Sequence, residues 1–198
     1  MSGGARRLLR ALRHAPDRIL HPVRRRAVLS DLRSGPTPRS LLFLCHGNIC
    51  RSPYAAAVAE RALGTRAARC RIASAGFIGP GRSAPPEAVE VAARRGIDLS
   101  GHRSRTVDGA SIGEVDLVVV MSRGQARAIV EEGRRTGRVI VLGDLDPDPI
   151  DTRAIRDPVE QPADVFEDVY ARIDRCVAAL ATAVGSEPPA GPPEHRTT

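Results

Sequence analysis

Residues 41–53 read LLFLCHGNICRSP, and the rest of the chain is best understood from that stretch outward. Four apolar residues run straight into Cys45, and Arg51 follows six positions later, with Gly47, Asn48 and Cys50 between them. A short unbroken apolar run suits a strand buried on both faces of a sheet. Ser52 and Pro53 read as the cap and first position of a helix that continues through YAAAVAERAL and stops at Gly64. A loop between such a strand and such a helix turns backbone N–H groups toward the helix's positive end, which makes an anion cradle. Arg51 adds a guanidinium fork that matches two phosphate oxygens. Cys45, at the rim, is placed for in-line attack on a cradled phosphorus, which would give a phosphocysteine intermediate.

Strand and helix patterns alternate after this point. CRIASAG (70–76), VDLVVVM (115–121) and RVIVLGD (138–144) read as strands. PPEAVEVAARRG (85–96), RGQARAIVEEGRR (123–135) and residues 163–184 read as helices. The alternation predicts an α/β fold of three layers: a four-stranded parallel sheet flanked by helices, with the phosphate-binding loop after the first strand. Chemistry in such sheets sits at the carboxyl ends of the strands, where Cys45 falls.

The 198 residues, 42% of them hydrophobic, suffice for one domain with a real core. Every basic residue is Arg, and the charge is lopsided. Residues 1–40 hold ten Arg against two Asp, net +8, while the remaining 158 residues carry net −1. The basicity thus belongs to residues 1–38, a partly helical extension and linker in which one or two short amphipathic helices break near Pro16 and Pro22. Two readings stay open for it: contact with an anionic surface, or packing on the body. Residues 39–185 form the folded domain, and 186–198 a disordered tail. The net charge of the body argues against nucleic-acid binding. Four scattered cysteines without a CxxC pair suit neither a disulfide scaffold nor a metal site, and no cofactor is expected. No apolar run reaches the roughly 18–20 residues of a membrane span. Charges interrupt the N-terminal apolar stretch, so it is no secretory signal, and a cytoplasmic location is expected.

CHGNICRSP, following an apolar strand and opening a helix, closely resembles the signature of the low-molecular-weight protein tyrosine phosphatases. SAG (74–76), GHRSR (101–105) and DP (157–158) match the same family in order, so that the resemblance spans residues 40–184. It implies that Cys45 is the nucleophile and that Arg51 binds the phosphate and stabilises its equatorial oxygens in the transition state. Ser52 would hydrogen-bond the thiolate, and Asp157 would act as general acid, then general base. His46, Gly47, Asn48, Ile49 and Cys50 would surround the substrate, with His46 at the pocket mouth. Asn48 would hold a left-handed conformation, pinned by Ser52, Ser74 and His102, which makes His102 a structural residue. Cys50 would form a reversible disulfide with Cys45. Cys70 and Cys176 read as core residues, and Asp146 and Asp148 as loop acids.

Family members acting on phosphotyrosine usually carry aromatics just after Asp-Pro, where this chain has Val159. Phe77 is the only ring in the loop after SAG. Ile49 stands where phosphoarginine phosphatases of the family tend to have Thr, and so leans toward aryl phosphates. The related arsenate reductases need two further cysteines after the third strand, and VVVMSRGQARAIVEEG has none. The expected activity is therefore a protein-tyrosine phosphatase acting on a phosphorylated protein or a small phosphomonoester. The alternative is the same mechanism on another phosphomonoester or on phosphoarginine. A non-enzymatic phosphate-binding module is disfavoured, because nucleophile, arginine and acid are all present.

Overall fold

The computed structural model describes residues 3–108, 112–131 and 137–185, the first twelve of them as backbone. Strands β1 (Ser40–Cys45), β2 (Arg71–Gly76), β3 (Leu117–Val120) and β4 (Arg138–Val141) form one parallel sheet in the order β2-β1-β3-β4. Helices α1 (Gly3–Ser34), α2 (Arg51–Leu63), α3 (Pro86–Arg94), α4 (Arg123–Glu131) and α5 (Ala163–Gly185) cover it. This is the α/β sandwich that the alternating pattern predicts.

Every residue of β1 is buried, as a central strand requires. Its side chains alternate between two cores. Leu41, Phe43 and Cys45 face a core shared with Tyr54 of α2 and Tyr170 of α5. Leu42 and Leu44 face a second core with Val118, Val120 and Ile129 of α4. The register sets Cys45 beside Gly76, so that β1 and β2 end together at the carboxyl edge.

The start of β1 is latched to the turn before β3. The Asp116 carboxylate accepts hydrogen bonds from the backbone N–H of Arg39 (2.8 Å) and of Ser40 (3.0 Å), and from the Ser40 hydroxyl (3.2 Å). The Arg39 N–H in particular holds this carboxyl below its usual range.

Local rules misplace some boundaries. β4 stops at Val141, and residues 142–144 join a 3₁₀ turn, Leu142–Leu145. α2 begins at Arg51 with Cys50 at its cap position and no side-chain cap, because the Ser52 hydroxyl is drawn to the Cys45 sulfur instead. Pro53 still fits the first turn, where its missing N–H has no helical partner to lose. The expected end of the helix over 123–135 lies partly outside the described residues, as does the tail 186–198.

The largest difference is α1, a single helix that runs through Pro16 and Pro22 rather than breaking at them. A helix-interior proline costs about 3 kcal/mol. Docking offsets that cost: Leu29 and Leu32 are buried, the ring Nε2 of His21 meets the Asp146 carbonyl at 2.9 Å, and Arg25 Nε donates to the Leu145 carbonyl. The second half of the extension therefore packs on the body.

Asp116→Ala removes the latch and should lower the urea midpoint at pH 7. The folded-state pKa is depressed, so the carboxylate's contribution is present above its unfolded pKa of about 3.9 and is lost as pH falls through the lower folded value. The gap between wild type and variant should accordingly close on acidification below about pH 4, read from denaturation curves at each pH.

Candidate active site

β1 delivers Cys45 to the carboxyl edge, with the residue only 2% exposed. Its sulfur accepts hydrogen bonds from the Asn48 backbone N–H at 3.2 Å and the Ser52 hydroxyl at 3.0 Å. Two donors aimed at one sulfur stabilise negative charge on it. Cys50 is equally buried but lacks such donors, and burial, followed by the nearby Cys45 and Asp157, pushes its thiol pKa well up. Of the two loop cysteines, Cys45 alone receives hydrogen-bond donors at its sulfur among the described residues. Both thiols are free.

The loop owes its shape to Asn48, fully buried with φ of 51°. Its amide Nδ2 donates to the hydroxyls of Ser52 and Ser74, each at 2.9 Å, and its Oδ1 accepts from the Arg105 N–H at 2.8 Å. His102 Nε2 reaches the Asn48 carbonyl at 2.7 Å. A carbonyl can only accept, so that nitrogen carries the proton. Ser74 and His102 thus meet at Asn48.

Arg51, the first residue of α2, is held at one Nη by the Ile155 carbonyl (3.2 Å) and at the other by the Asp157 carboxylate in a short ion pair. Its Nε is buried and has no partner among the described residues. Asp157 is far more open, its side chain 45% exposed against 7% for Arg51. The Val159 N–H caps its other oxygen at 3.3 Å. The competing acids are engaged elsewhere: buried Asp146 is bound by Arg172 and Arg175, and Asp148 by Arg175.

His46 is exposed, and Ile49 packs against the core below the loop. The His46 carbonyl accepts from the N–H groups of Phe77 (2.9 Å) and Ile78 (3.2 Å), which ties the loop to the segment after β2. Arg82 strengthens that tie. Its guanidinium donates to the carbonyls of Gly47 (2.9 Å), Gly79 (3.0 Å) and Ile78 (3.2 Å). Nothing in the spacing of FIGPGRSAPP marks Arg82 for this role, since any arginine can meet a backbone carbonyl. Gly76 has a plain reason to be glycine: a Cβ there would sit 2.8 Å from the Asn48 nitrogen and 2.9 Å from the His46 oxygen.

Tyr54 and Tyr170, the only tyrosines, stack below the loop with ring centroids 3.7 Å apart. The Tyr54 hydroxyl donates to Asp174, which Arg95 also binds. Phe77 and Val159 are half-buried and pack against the two cores. Cys70 is half-buried just before β2, and Cys176 lies in the core of α5, where burial pushes its thiol up to about 12.

A parallel sheet whose first strand presents a hydrogen-bonded cysteine in a Cys-x₅-Arg loop, with an acid facing the arginine, defines a cysteine-dependent phosphatase. The profile of the low molecular weight phosphotyrosine protein phosphatases matches residues 40–190. The chain belongs to that family and is an enzyme of its type. Among its relatives is a probable low molecular weight protein-tyrosine-phosphatase, EpsP, of Ralstonia solanacearum, 40% identical over 144 residues, covering 71% of this chain and 92% of that one. The crystal structure of the tyrosine phosphatase Wzb of Escherichia coli with sulphate aligns at TM-score 0.67 and 27% identity, over 75% of this chain and 99% of that one. The YwlE arginine phosphatase of Geobacillus stearothermophilus aligns at 0.63 and 26%, over 75% and 94%.

Gly76→Ala should displace the loop, because the atoms in its way are backbone. The expected result is a fall in kcat/KM on p-nitrophenyl phosphate of roughly 100-fold, the scale set by an ångström of misplacement, with the circular-dichroism spectrum retained.

Proposed function

We propose that this enzyme is a cytoplasmic protein-tyrosine phosphatase in which Cys45, Arg51 and Asp157 carry the chemistry. The observation that supports this most directly is the Cys45 sulfur receiving two hydrogen-bond donors at the head of an anion-binding loop. A substrate phosphate would take the Arg51 guanidinium, including the Nε that has no partner among the described residues, and release Asp157 from its ion pair. The thiolate then attacks phosphorus and the P–O bond breaks. Once off Arg51, the Asp157 carboxylate takes up a proton from solvent and gives it to the departing phenolic oxygen. In the second half, Asp157 takes a proton from water, the water oxygen attacks the phosphocysteine, and the S–P bond breaks. The Ser52 hydroxyl and the Asn48 N–H stabilise the departing thiolate, and inorganic phosphate is released. Free cysteines throughout the chain suit a reducing compartment.

His46, Gly47, Ile49 and Cys50 line the cradle in this reading, and His46 and Phe77 border the phenyl group. The second reading, phosphoarginine, is favoured by the absence of an aromatic at Val159 and opposed by Ile49.

Cys45→Ser should abolish turnover of p-nitrophenyl phosphate, and retained activity would remove the mechanism. Asp157→Asn should lower kcat by roughly 10²- to 10⁴-fold, the range of general acid catalysis. The loss should be larger on phosphotyrosine, whose leaving group needs the proton more. Val159→Tyr restores a stacking ring and should raise kcat/KM for a phosphotyrosine peptide roughly 2- to 10-fold, as one aromatic contact supplies. A higher kcat/KM for phosphoarginine than for phosphotyrosine in the wild type would replace the substrate reading while leaving the mechanism intact.

A further inference from the structure

α1 lies outside the matched family region, and it carries two apolar faces. One faces the body, with Leu29, Leu32 and His21 buried and Arg25 alongside. The other faces away from it. Ile19 and Val23, one turn apart, are 74% and 65% exposed, and Leu20 beside them is 44% exposed.

Positive charge surrounds this outer stripe. The two acids of the extension are engaged: Asp17 with Arg24 and the Arg153 N–H, Asp31 with Arg138. Arg26 and Arg33 have no hydrogen-bond or ion-pair partner among the described residues, and Arg18 meets only the exposed Asp151 at 3.6 Å. These three line a cleft of about 800 Å³ between α1 and residues 147–149, and its acid, Asp148, is held by Arg175.

We propose that α1 is an interfacial helix that seats the enzyme on an anionic bilayer. The stripe of Ile19, Leu20 and Val23 enters the headgroup–acyl boundary while Arg18, Arg26 and Arg33 meet lipid phosphates. Apolar side chains in a cationic setting call for an occupant that is apolar and anionic at once. A bilayer surface is both. A second copy would bring two stretches of residues 1–40, each net +8, against each other. A nucleic acid would leave Ile19 and Val23 in water. No helix among the described residues is long and apolar enough to cross the membrane, so the contact lies in the interface plane. The contacts also give the helix a direction. Asp31 meets Arg138 at the start of β4, His21 and Arg25 meet residues 145–146 beyond its end, and Asp17 meets Arg153. The Asp17 end of these contacts therefore lies on the side of the sheet that carries Cys45, close to the segment that leads to Asp157.

The test is co-sedimentation of the full chain with vesicles of phosphatidylcholine alone and of phosphatidylcholine mixed with phosphatidylglycerol. Wild type should pellet with the mixed vesicles and stay in solution with phosphatidylcholine alone. Ile19→Asp/Val23→Asp should lower vesicle partitioning by about tenfold or more, the scale of losing two buried apolar side chains. Arg26→Glu/Arg33→Glu should lower it through charge. Both variants should keep wild-type turnover of p-nitrophenyl phosphate and an unchanged thermal melt, since these side chains stand off the body. Failure of wild type to pellet with anionic vesicles overturns the proposal, as does equal pelleting of wild type and Ile19→Asp/Val23→Asp. A dimer by analytical ultracentrifugation that Ile19→Asp/Val23→Asp turns into a monomer, without vesicle binding by wild type, assigns the stripe to a second copy and likewise overturns it.

Discussion

The buried amide of Asn48 holds the phosphate loop in a shape that its backbone would not keep unaided. A left-handed conformation costs an ordinary L-residue roughly 1–2 kcal/mol. Five hydrogen bonds fix it here: two from Nδ2, one to Oδ1, one to the carbonyl, and one from the backbone N–H to sulfur. At about 1 kcal/mol net apiece they exceed the strain. The same bonds orient the N–H that reaches Cys45, so one residue sets both the shape of the loop and the hydrogen bonding at the sulfur. Ser52 works on both sides, accepting from Asn48 and standing within hydrogen-bond reach of the sulfur.

Arg51 poses the opposite problem, a buried cation in search of a counter-charge. Its side chain is 7% exposed, and an unpaired charge at such a depth is costly. Without substrate, Asp157 fills that place. It comes from an open loop and is almost half exposed, so it can give way to a phosphate dianion and turn to the leaving oxygen. In the proposed mechanism the ion pair is a resting arrangement, and phosphate binding would exchange one counter-ion for another. The Ile155 carbonyl holds the other Nη of Arg51 and so aims the guanidinium independently of Asp157.

The sequence carried those parts that depend on side-chain identity at fixed spacing. Apolar runs gave the strands, and Cys45 and Arg51 gave the loop. Ser74 and His102 are distant in the chain and could be joined to Asn48 only through the family resemblance. Interactions through backbone atoms left no trace in the sequence: the Ile155 carbonyl on Arg51 and the three carbonyls on Arg82 would accept from any donor in reach. Pro16 and Pro22 misled because a local rule was overridden by docking farther along the same helix. Ser52 misled because its hydroxyl had two uses, and the sulfur won over the helix cap.

The placement of the few aromatic rings carries a consequence for catalysis. Phe43, Tyr54, Phe166 and Tyr170 are all within 1% of complete burial, which leaves half-buried Phe77, whose N–H bonds the His46 carbonyl, as the phenyl or phenol ring among the described residues that reaches solvent. The stacked tyrosines support the helix that bears Arg51, and through Asp174 and Arg95 they tie α2, α3 and α5 together. Rings used beneath the loop are not available to clamp a substrate above it. Under the proposed function, ground-state grip on a phenyl group would therefore be weak, and recognition would fall on the phosphate cradle. A cradle built from N–H groups, a guanidinium and a helix start binds best when charge on the equatorial oxygens is greatest, which is in the transition state. Under the proposed function such a division would favour turnover over tight substrate binding, with a high KM beside an unimpaired kcat as its kinetic form.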